Sequence, residues 1–232
     1  MRKSLLIVSV AVFGLSFGCG GKDAKDKPAT AVDTAAVAAD TVAAVPDTAT
    51  VAADTATTFT DTRDGQVYRI VRVGGQTWFA ENLNYAAEGS VCYGNMDAYC
   101  AKYGRLYDWN TAVKACPAGT HLPTNKEWAA LVDYAGGEKN AGKKLKTNAG
   151  LINNGTGTDD YGWSALPGGN GYSDGDFINA GYTGSWWSDT EIDANSARIW
   201  YIYYDYENVG WNDVDKADLF SVRCVADKEA QK

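Results

Sequence analysis

The chain has 232 residues, a formal net charge of −8, five cysteines and one histidine. The negative charge argues against nucleic acid and anionic lipid headgroups as partners, because both are themselves negatively charged. One histidine leaves little material for a zinc site of cysteine and histidine ligands. From the sequence we therefore predict no nucleic-acid binding and no cofactor.

Residues 1–18 have the pattern of a secretory signal peptide. Arg2 and Lys3 precede an apolar run, 5–17. This run is shorter than the roughly 20 residues that a membrane-spanning helix needs. The pattern predicts export to an oxidising compartment and cleavage close to residue 18.

The end of the signal resembles the bacterial lipobox, in which a small residue precedes a cysteine that is lipidated and becomes the new N-terminus. Gly18 precedes Cys19, although Ser16 stands where that motif usually has an aliphatic residue. Gly20 resembles the residue that follows the cysteine in lipoproteins sent to the outer membrane. The resemblance implies a lipid anchor on Cys19 and a location at the outer membrane or cell surface; the alternative is ordinary cleavage that leaves Cys19 free.

Residues 19–58 predict a tether. From Lys22 to Thr58 the sequence repeats Ala, Val, Asp and Thr, with no aromatic residue and no apolar face at a steady period. Such a composition cannot bury enough apolar surface to fold. We expect a flexible, mildly acidic segment that separates the following domain from the membrane.

Residues 59–232 predict one α+β domain, because all eight tryptophans and all fourteen tyrosines lie there. Alternating apolar residues on both sides of a Gly-Gly pair predict a hairpin, and two capping patterns predict helices. In chain order we expect the hairpin Val67–Val73 and Thr77–Phe79, helices at Trp109–Cys116 and Asn125–Ala135, irregular loops over Lys139–Gly184, and antiparallel strands at 185–190, 197–206, 207–213 and 219–225.

Five ordered sequence blocks resemble the Fibrobacter succinogenes major paralogous domain, across residues 60–228. They are Cys92 to Trp109, Cys116 to Trp128, Trp163 to Gly169, Ser185 to Glu191, and Phe220 to Val225. That domain is similar to the C-type-lectin-like fold shared with formylglycine-generating enzymes. The resemblance implies two helices, antiparallel strands and long loops.

The cysteines that remain after lipidation of Cys19 are even in number, which favours two disulfides in an exported chain. The resemblance implies the pairs Cys92–Cys100 and Cys116–Cys224. It also implies a structural corner around His121, whose ring we expect to hydrogen-bond nearby backbone. The copper chemistry of formylglycine-generating enzymes is not implied, because it needs a cysteine pair that is not already in a disulfide.

Two oxygen-rich segments are candidate calcium ligands. Trp211-Asn212-Asp213 resembles the calcium-site strand of sugar-binding C-type lectins, but the companion Glu-Pro-Asn or Gln-Pro-Asp loop is absent. Asn212 and Asp213 would supply oxygens to the ion; the alternative is a packed tryptophan followed by a turn. The loop 172–176, with Asp159 and Asp160, is the second candidate, and it is equally typical of turns.

The aromatic residues near the C-terminus predict a ligand-binding surface. Flat rings suit the apolar faces of sugars. The candidates are Trp186, Trp187, Tyr204, Tyr206 and Trp211. Such a platform requires the rings to be exposed, whereas a central strand covered on both faces explains the same pattern without function.

No pattern of nucleophile, base and partner acid is visible, so the sequence predicts a non-catalytic protein. We expect a cell-surface lipoprotein that recognises other molecules, plant polysaccharide being the first candidate. The alternative is an envelope-structural or protein-binding module that binds no sugar.

Overall fold

The computed structural model describes residues 57–147 and 157–227. These residues all belong to one compact unit, Thr50–Lys232. The predicted signal peptide, Cys19 and the tether up to residue 56 lie outside the described residues. None of the helices in the described ranges is long and apolar enough to cross a membrane.

The predicted hairpin is confirmed, and it forms part of an antiparallel five-stranded sheet. Within the described residues its strands are β1 (Thr57–Thr60), β2 (Val67–Val73), β3 (Gln76–Phe79), β5 (Thr120–His121) and β12 (Val225–Ala226). Their order is β1-β2-β3-β12-β5, and Val71 pairs with Trp78 across the Gly74-Gly75 turn. Strand β1 starts at Thr57, two residues before the predicted domain boundary, because its backbone pairs with β2.

A second five-stranded sheet in the described ranges carries most of the aromatic residues discussed below. Its strands are β4 (Leu106–Tyr107), β8 (Thr183–Glu191), β9 (Ser196–Tyr203), β10 (Gly210–Asp215) and β11 (Phe220–Ser221). Their order is β10-β9-β8-β11-β4, and β8 and β11 are parallel. A separate short hairpin joins β6 (Asn170–Gly171) to β7 (Phe177–Ile178).

The predicted helices are present, and two more accompany them in the described ranges. The four are α1 (Asp97–Tyr103), α2 (Trp109–Ala115), α3 (Asn125–Tyr134) and α4 (Ala141–Leu145). Asp108 accepts a hydrogen bond from the backbone N–H of Thr111, and Thr124 and Glu127 form the predicted capping box. The expectation of two helices was wrong because α1 and α4 are short and have no side-chain cap, so neither carries a local sequence signal.

Two clusters of buried side chains form the core. The first centres on Trp128, whose ring lies 5.0 to 6.1 Å from those of Trp78, Trp163, Trp186 and Trp200. The second contains the following buried residues, among others: Tyr68, Phe79, Tyr107, Trp187 and Phe220. Burying so many large rings supplies most of the apolar stabilisation.

Two disulfides connect the described parts of the chain, at the pairs Cys92–Cys100 and Cys116–Cys224. The first links the segment before α1 to the helix itself. The second joins the C-terminal end of α2 to the short crossing between β11 and β12. Strands β11 and β12 lie in different sheets. Cys116–Cys224 therefore attaches the C-terminal end of α2 to the segment in which the chain passes from one sheet to the other.

Candidate functional site

Trp186 and Trp187 are core residues, so their predicted place in a ligand-binding surface was wrong. Both side chains are fully buried. The indole N–H of Trp186 donates to Asn82, and that of Trp187 donates to the carbonyl of Tyr107. Strand β8 lies between β9 and β11, and packing covers its two faces from residue 183 to residue 188. A ligand cannot reach either ring.

The remaining aromatic candidates do not form one platform. Trp211 pairs directly with Trp200, so the two share a face of the β9–β10 pair. Tyr201 and Tyr203 alternate with Trp200 along the strand and therefore face the other way. Tyr204 is half-buried, and its ring packs 5.3 Å from that of Tyr182, edge to face.

Three tyrosines on the face opposite Trp211 form a continuous row, which we call the tyrosine ladder: Tyr201, Tyr203 and Tyr206. Their ring centroids are 5.2 Å apart from Tyr201 to Tyr203 and 6.0 Å apart from Tyr203 to Tyr206. Tyr201 is half-buried over Gly210, where a Cβ would lie 2.4 Å from its ring. Tyr203 is 39% exposed and Tyr206 is 58% exposed. The ladder thus leads from the packed sheet out to solvent.

Lys146 holds the backbone of the ladder in place. Its side chain is almost fully buried, and its ammonium donates to the carbonyls of Tyr203, Tyr204 and Tyr206 at 3.3, 2.8 and 2.8 Å. Burial lowers the pKa of Lys146, and the nearby carboxylates of Asp205 and Glu207 oppose that shift. Three charge-assisted hydrogen bonds to one short segment give the exposed tyrosines a fixed backbone.

The two predicted calcium ligands, Asn212 and Asp213, do not converge. They are neighbours in strand β10, so their side chains point to opposite faces of the sheet. The Asp213 carboxylate accepts from Nε and Nη2 of Arg198 at 2.8 and 3.0 Å, and the Arg198 guanidinium also lies 4.1 Å from the Trp211 ring centroid. One cation already satisfies the carboxylate. Across the described residues no group of three or more His, Cys, Asp or Glu is placed to hold a metal ion.

His121 contacts two carboxylates, so the expectation of a backbone hydrogen bond was wrong. Its Nδ1 lies 2.6 Å from Asp227 Oδ1, and its Nε2 lies 3.0 Å from both Glu127 carboxylate oxygens. Burial by itself lowers the pKa of His121, but the hydrogen bonds to Asp227 and Glu127 outweigh burial and raise it. The ring therefore joins the start of α3 to the residue after β12.

A buried polar cluster around Arg223 was not visible in the sequence. The guanidinium donates to Oδ1 of Asn82 at 2.8 Å, to the carbonyl of Ser164 at 3.3 Å and to the carbonyl of Trp163, and it stacks 3.9 Å from the Trp163 ring centroid. Asn82 also donates to the carbonyl of Tyr103. Burial lowers the pKa of Arg223 to about 9, so the group stays charged at neutral pH. The cluster connects both sheets, and nothing in its geometry opens to a ligand.

The described residues form an open groove of about 690 Å³, which we call the acidic groove. It lies at the opposite end of β9 and β10 from the tyrosine ladder. Segments that are distant in sequence meet there: the β6–β7 loop with Tyr172 and Phe177, the β8–β9 turn with Asn195, the end of β10 with Asp215, and Asp108 before α2. The candidate oxygen-rich loop 172–176 thus forms one wall, whereas Asp159 is used by Ser164, which donates to its carboxylate.

Negative charge dominates this groove. Two carboxylates, those of Asp108 and Asp215, line it. Between the lining residues Ala217 and Leu219, burial raises the pKa of Asp218, and the carboxylates of Asp215 and Asp174 raise it further. The one lysine among the lining residues is Lys216, whose ammonium is held by Glu191 and by the carbonyls of Asp193 and Ala194. The positive charge is therefore already paired, and the carboxylates set the sign of the field in the groove.

The sequence of the domain matches one family of proteins. The sequence profile of the Fibrobacter succinogenes major domain matches residues 71–226, about two thirds of the chain. The chain belongs to this family. No curated protein and no solved structure matches it significantly.

The matched region of this Fibrobacter succinogenes major domain includes the central features described above. It begins within β2 and ends with β12, so it contains both disulfides, Arg223 and the tyrosine ladder. Strand β1, the whole β1–β2 turn and the first four residues of β2 precede it.

Proposed function

We propose that this protein is a non-catalytic recognition module of the cell surface, which binds plant polysaccharide through the tyrosine ladder. The observation that carries the proposal is the ladder itself: Tyr201, Tyr203 and Tyr206 are in consecutive ring contact and become progressively more exposed. Successive rings meet edge to face, at interplanar angles of 67° and 79°, so the exposed faces of Tyr203 and Tyr206 are separate surfaces on which the apolar faces of pyranose units can stack. Lys146 reduces the entropy lost on binding because it fixes the backbone of the ladder beforehand.

We also propose a C-type-lectin-like fold for the domain and a lipid anchor for the whole chain. The fold proposal is supported by the mixed sheets and helices and by the disulfide from the end of α2 to Cys224. The anchor proposal rests on the apolar run before Cys19 and on the glycine at each side of that cysteine. With this anchor and the predicted tether of residues 19–58, we propose an outer-membrane location for the recognition domain.

Catalysis is not part of this proposal. Both ring nitrogens of His121 are engaged by carboxylates, so the histidine has no free nitrogen to act as a general base toward a nucleophile. Cys92, Cys100, Cys116 and Cys224 are in disulfides, which removes them as nucleophiles or copper ligands. Within the proposal no metal or other cofactor is needed, because stacking and hydrogen bonding suffice to hold a sugar.

Retention of the detergent-solubilised full chain on insoluble cellulose and xylan tests the sugar proposal. We expect Tyr206→Ala to reduce retention about five- to tenfold, because one exposed stacking ring contributes on the order of 1 kcal/mol. Tyr134→Ala is the matched control, since Tyr134 is also an exposed tyrosine and lies outside the ladder. Equal retention of both variants, or no retention of the wild type, would reject the ladder as a sugar site. If crosslinking in cells then traps one envelope protein at Tyr206, the protein-binding alternative replaces the proposal.

Labelling cells with a palmitate analogue tests the anchor separately. We expect label on the wild-type chain and none on Cys19→Ser. Equal label on both would remove the lipid anchor from the proposal and leave the binding surface untouched.

A further inference from the structure

We propose that the acidic groove is a second binding site, distinct from the tyrosine ladder, and that it takes a small organic cation: an ammonium group carried on a sugar or a similar compact scaffold. The cavity volume of about 690 Å³ lies within the range of about 300 to 1,000 Å³ that is usual for small-molecule sites. Five separate stretches of the chain line it, so the groove is a product of the whole fold.

One wall of the groove is aromatic. Tyr172 is 38% exposed and Phe177 is half-buried, and both line the cavity. The Phe177 ring is supported from behind by Tyr93, with 5.3 Å between the ring centroids. Aromatic faces attract ammonium groups within about 6 Å because the ring carries negative charge density on its face. This wall therefore favours a cation with some apolar surface.

The rest of the rim supplies carboxylates and amides. Asp108 and Asp215 line the cavity, together with Asn110 and Asn195. The amide groups can hydrogen-bond hydroxyls on the scaffold of the ligand, while the carboxylates compensate its charge. An anionic ligand such as a uronate would find no free cation among the lining residues, because the Lys216 ammonium is already bound by Glu191 and two carbonyls.

The groove is open to solvent, so each contact is screened and the expected binding is weak. An exposed charge pair contributes up to about 1 kcal/mol, and a cation on an exposed ring contributes a similar amount. Binding should also weaken as salt is added, because the interactions lie within reach of mobile ions.

Calorimetric titration of the detergent-solubilised full chain tests the proposal, with glucosamine, N-acetylglucosamine and choline as probes. At about pH 6 the amine of glucosamine is protonated, whereas its acetylated form is neutral. We expect glucosamine to bind measurably more tightly than N-acetylglucosamine. Binding of choline as well would show that the ammonium suffices, and binding of glucosamine without choline would show that the sugar scaffold is needed. Failure of both cations to bind, or equal binding of the neutral sugar, would overturn the proposal.

Variants locate the site. We expect Asp215→Asn and Tyr172→Ala each to weaken glucosamine binding about two- to fivefold. Asp64→Asn is the matched control: like Asp215, Asp64 is exposed and accepts a hydrogen bond from the backbone N–H two residues further on. An equal loss of glucosamine affinity in Asp64→Asn would show that the effect depends only on net charge, which would contradict the proposed site. Tyr134→Ala should leave glucosamine binding unchanged, because Tyr134 is an exposed tyrosine that lies outside both the groove and the ladder.

Discussion

At the residue scale, the buried Arg223 side chain connects several polar groups of the core. Its guanidinium satisfies Asn82 and two carbonyls in the interior, and Asn82 in turn accepts from Trp186. A buried charge is tolerated only when its donors are matched by acceptors. Of the three guanidinium nitrogens of Arg223, Nε alone has no hydrogen-bond partner among the described residues.

Replacing Arg223 should therefore be costly. We expect Arg223→Met to lower the free energy of unfolding by about 3 kcal/mol, because Asn82 and the carbonyls of Trp163 and Ser164 lose their donor inside the core. Urea denaturation measures the loss. Arg72→Met is the control, since Arg72 is exposed on the same chain and should change stability by less than about 0.5 kcal/mol. Equal stability of the two variants would contradict a structural role for the buried cluster.

His121 makes stability depend on pH. Its folded pKa lies above the ordinary value of 6.5, so the folded protein binds the imidazole proton more tightly than the unfolded chain does. The stabilisation is complete below the unfolded pKa and is lost as the pH rises through the folded pKa. About a third of the ring is exposed, so solvent screening limits the gain to about 1 kcal/mol or less.

The measurement compares wild type with His121→Gln. We expect the difference in the free energy of unfolding to be larger at pH 5.5 than at pH 9. Asp227→Asn should shrink this difference, because it removes one of the two carboxylates that hold the charged ring. A difference that is constant with pH would show that the ring acts only by packing.

At the scale of elements, helix α4 supports the loop between β9 and β10. The N–H of Lys143 donates to the carbonyl of Glu207, and the Lys143 ammonium pairs with the Glu207 carboxylate at 2.9 Å. Gly142 permits this contact, since a Cβ there would lie 2.4 Å from the carbonyl oxygen of Asn208. Lys146 follows the helix directly and holds the tyrosine ladder.

The substitution Gly142→Ala sets two effects against each other. Alanine favours a helix by about 1 kcal/mol relative to glycine. The clash with backbone atoms of residues 207 and 208 should win, because backbone cannot rotate away, and overpacking costs about 1 to 3 kcal/mol. We expect a net loss of stability and faster hydrogen exchange over residues 203–209. Lys144→Ala in the same helix is the control and should leave exchange there unchanged. A stabilised Gly142→Ala variant would show that the helix and loop do not pack as described.

At the scale of the whole molecule, the two disulfides should contribute unequally. Cys116–Cys224 closes 108 residues of sequence and Cys92–Cys100 closes 8. In the chain-entropy account, the long loop is worth about 4 to 5 kcal/mol and the short one about 2.5 kcal/mol. The long disulfide also fastens α2 to the crossing between the two sheets.

Paired serine variants test this order. We expect Cys116→Ser with Cys224→Ser to lose more stability in urea than Cys92→Ser with Cys100→Ser. The reverse order would mean that the short disulfide supports α1 and the acidic groove more strongly than loop entropy predicts.

Local chemistry explains what could be predicted from the sequence. The β2–β3 hairpin follows from alternation around Gly74-Gly75, and the start of α3 follows from Thr124 and Glu127 three residues apart. These signals act between residues that are close in the chain, so one sequence suffices to read them. Helices α1 and α4 were missed because neither has a side-chain cap, and α4 instead contacts the loop at Glu207, which is distant in sequence.

The sequence by itself therefore determined the family, the mixture of helices and strands, and the aromatic composition from which a binding surface can be built. Only the tertiary structure decided which aromatics are accessible. Trp187 and Tyr206 look alike as candidates in the sequence, yet Trp187 is buried within β8 and Tyr206 is the exposed end of the ladder. Exposure depends on what covers a strand and not on the strand's own residues. For the same reason the contact of His121 with Asp227, 106 residues away, and the acidic groove exist only once distant segments have been brought together by folding.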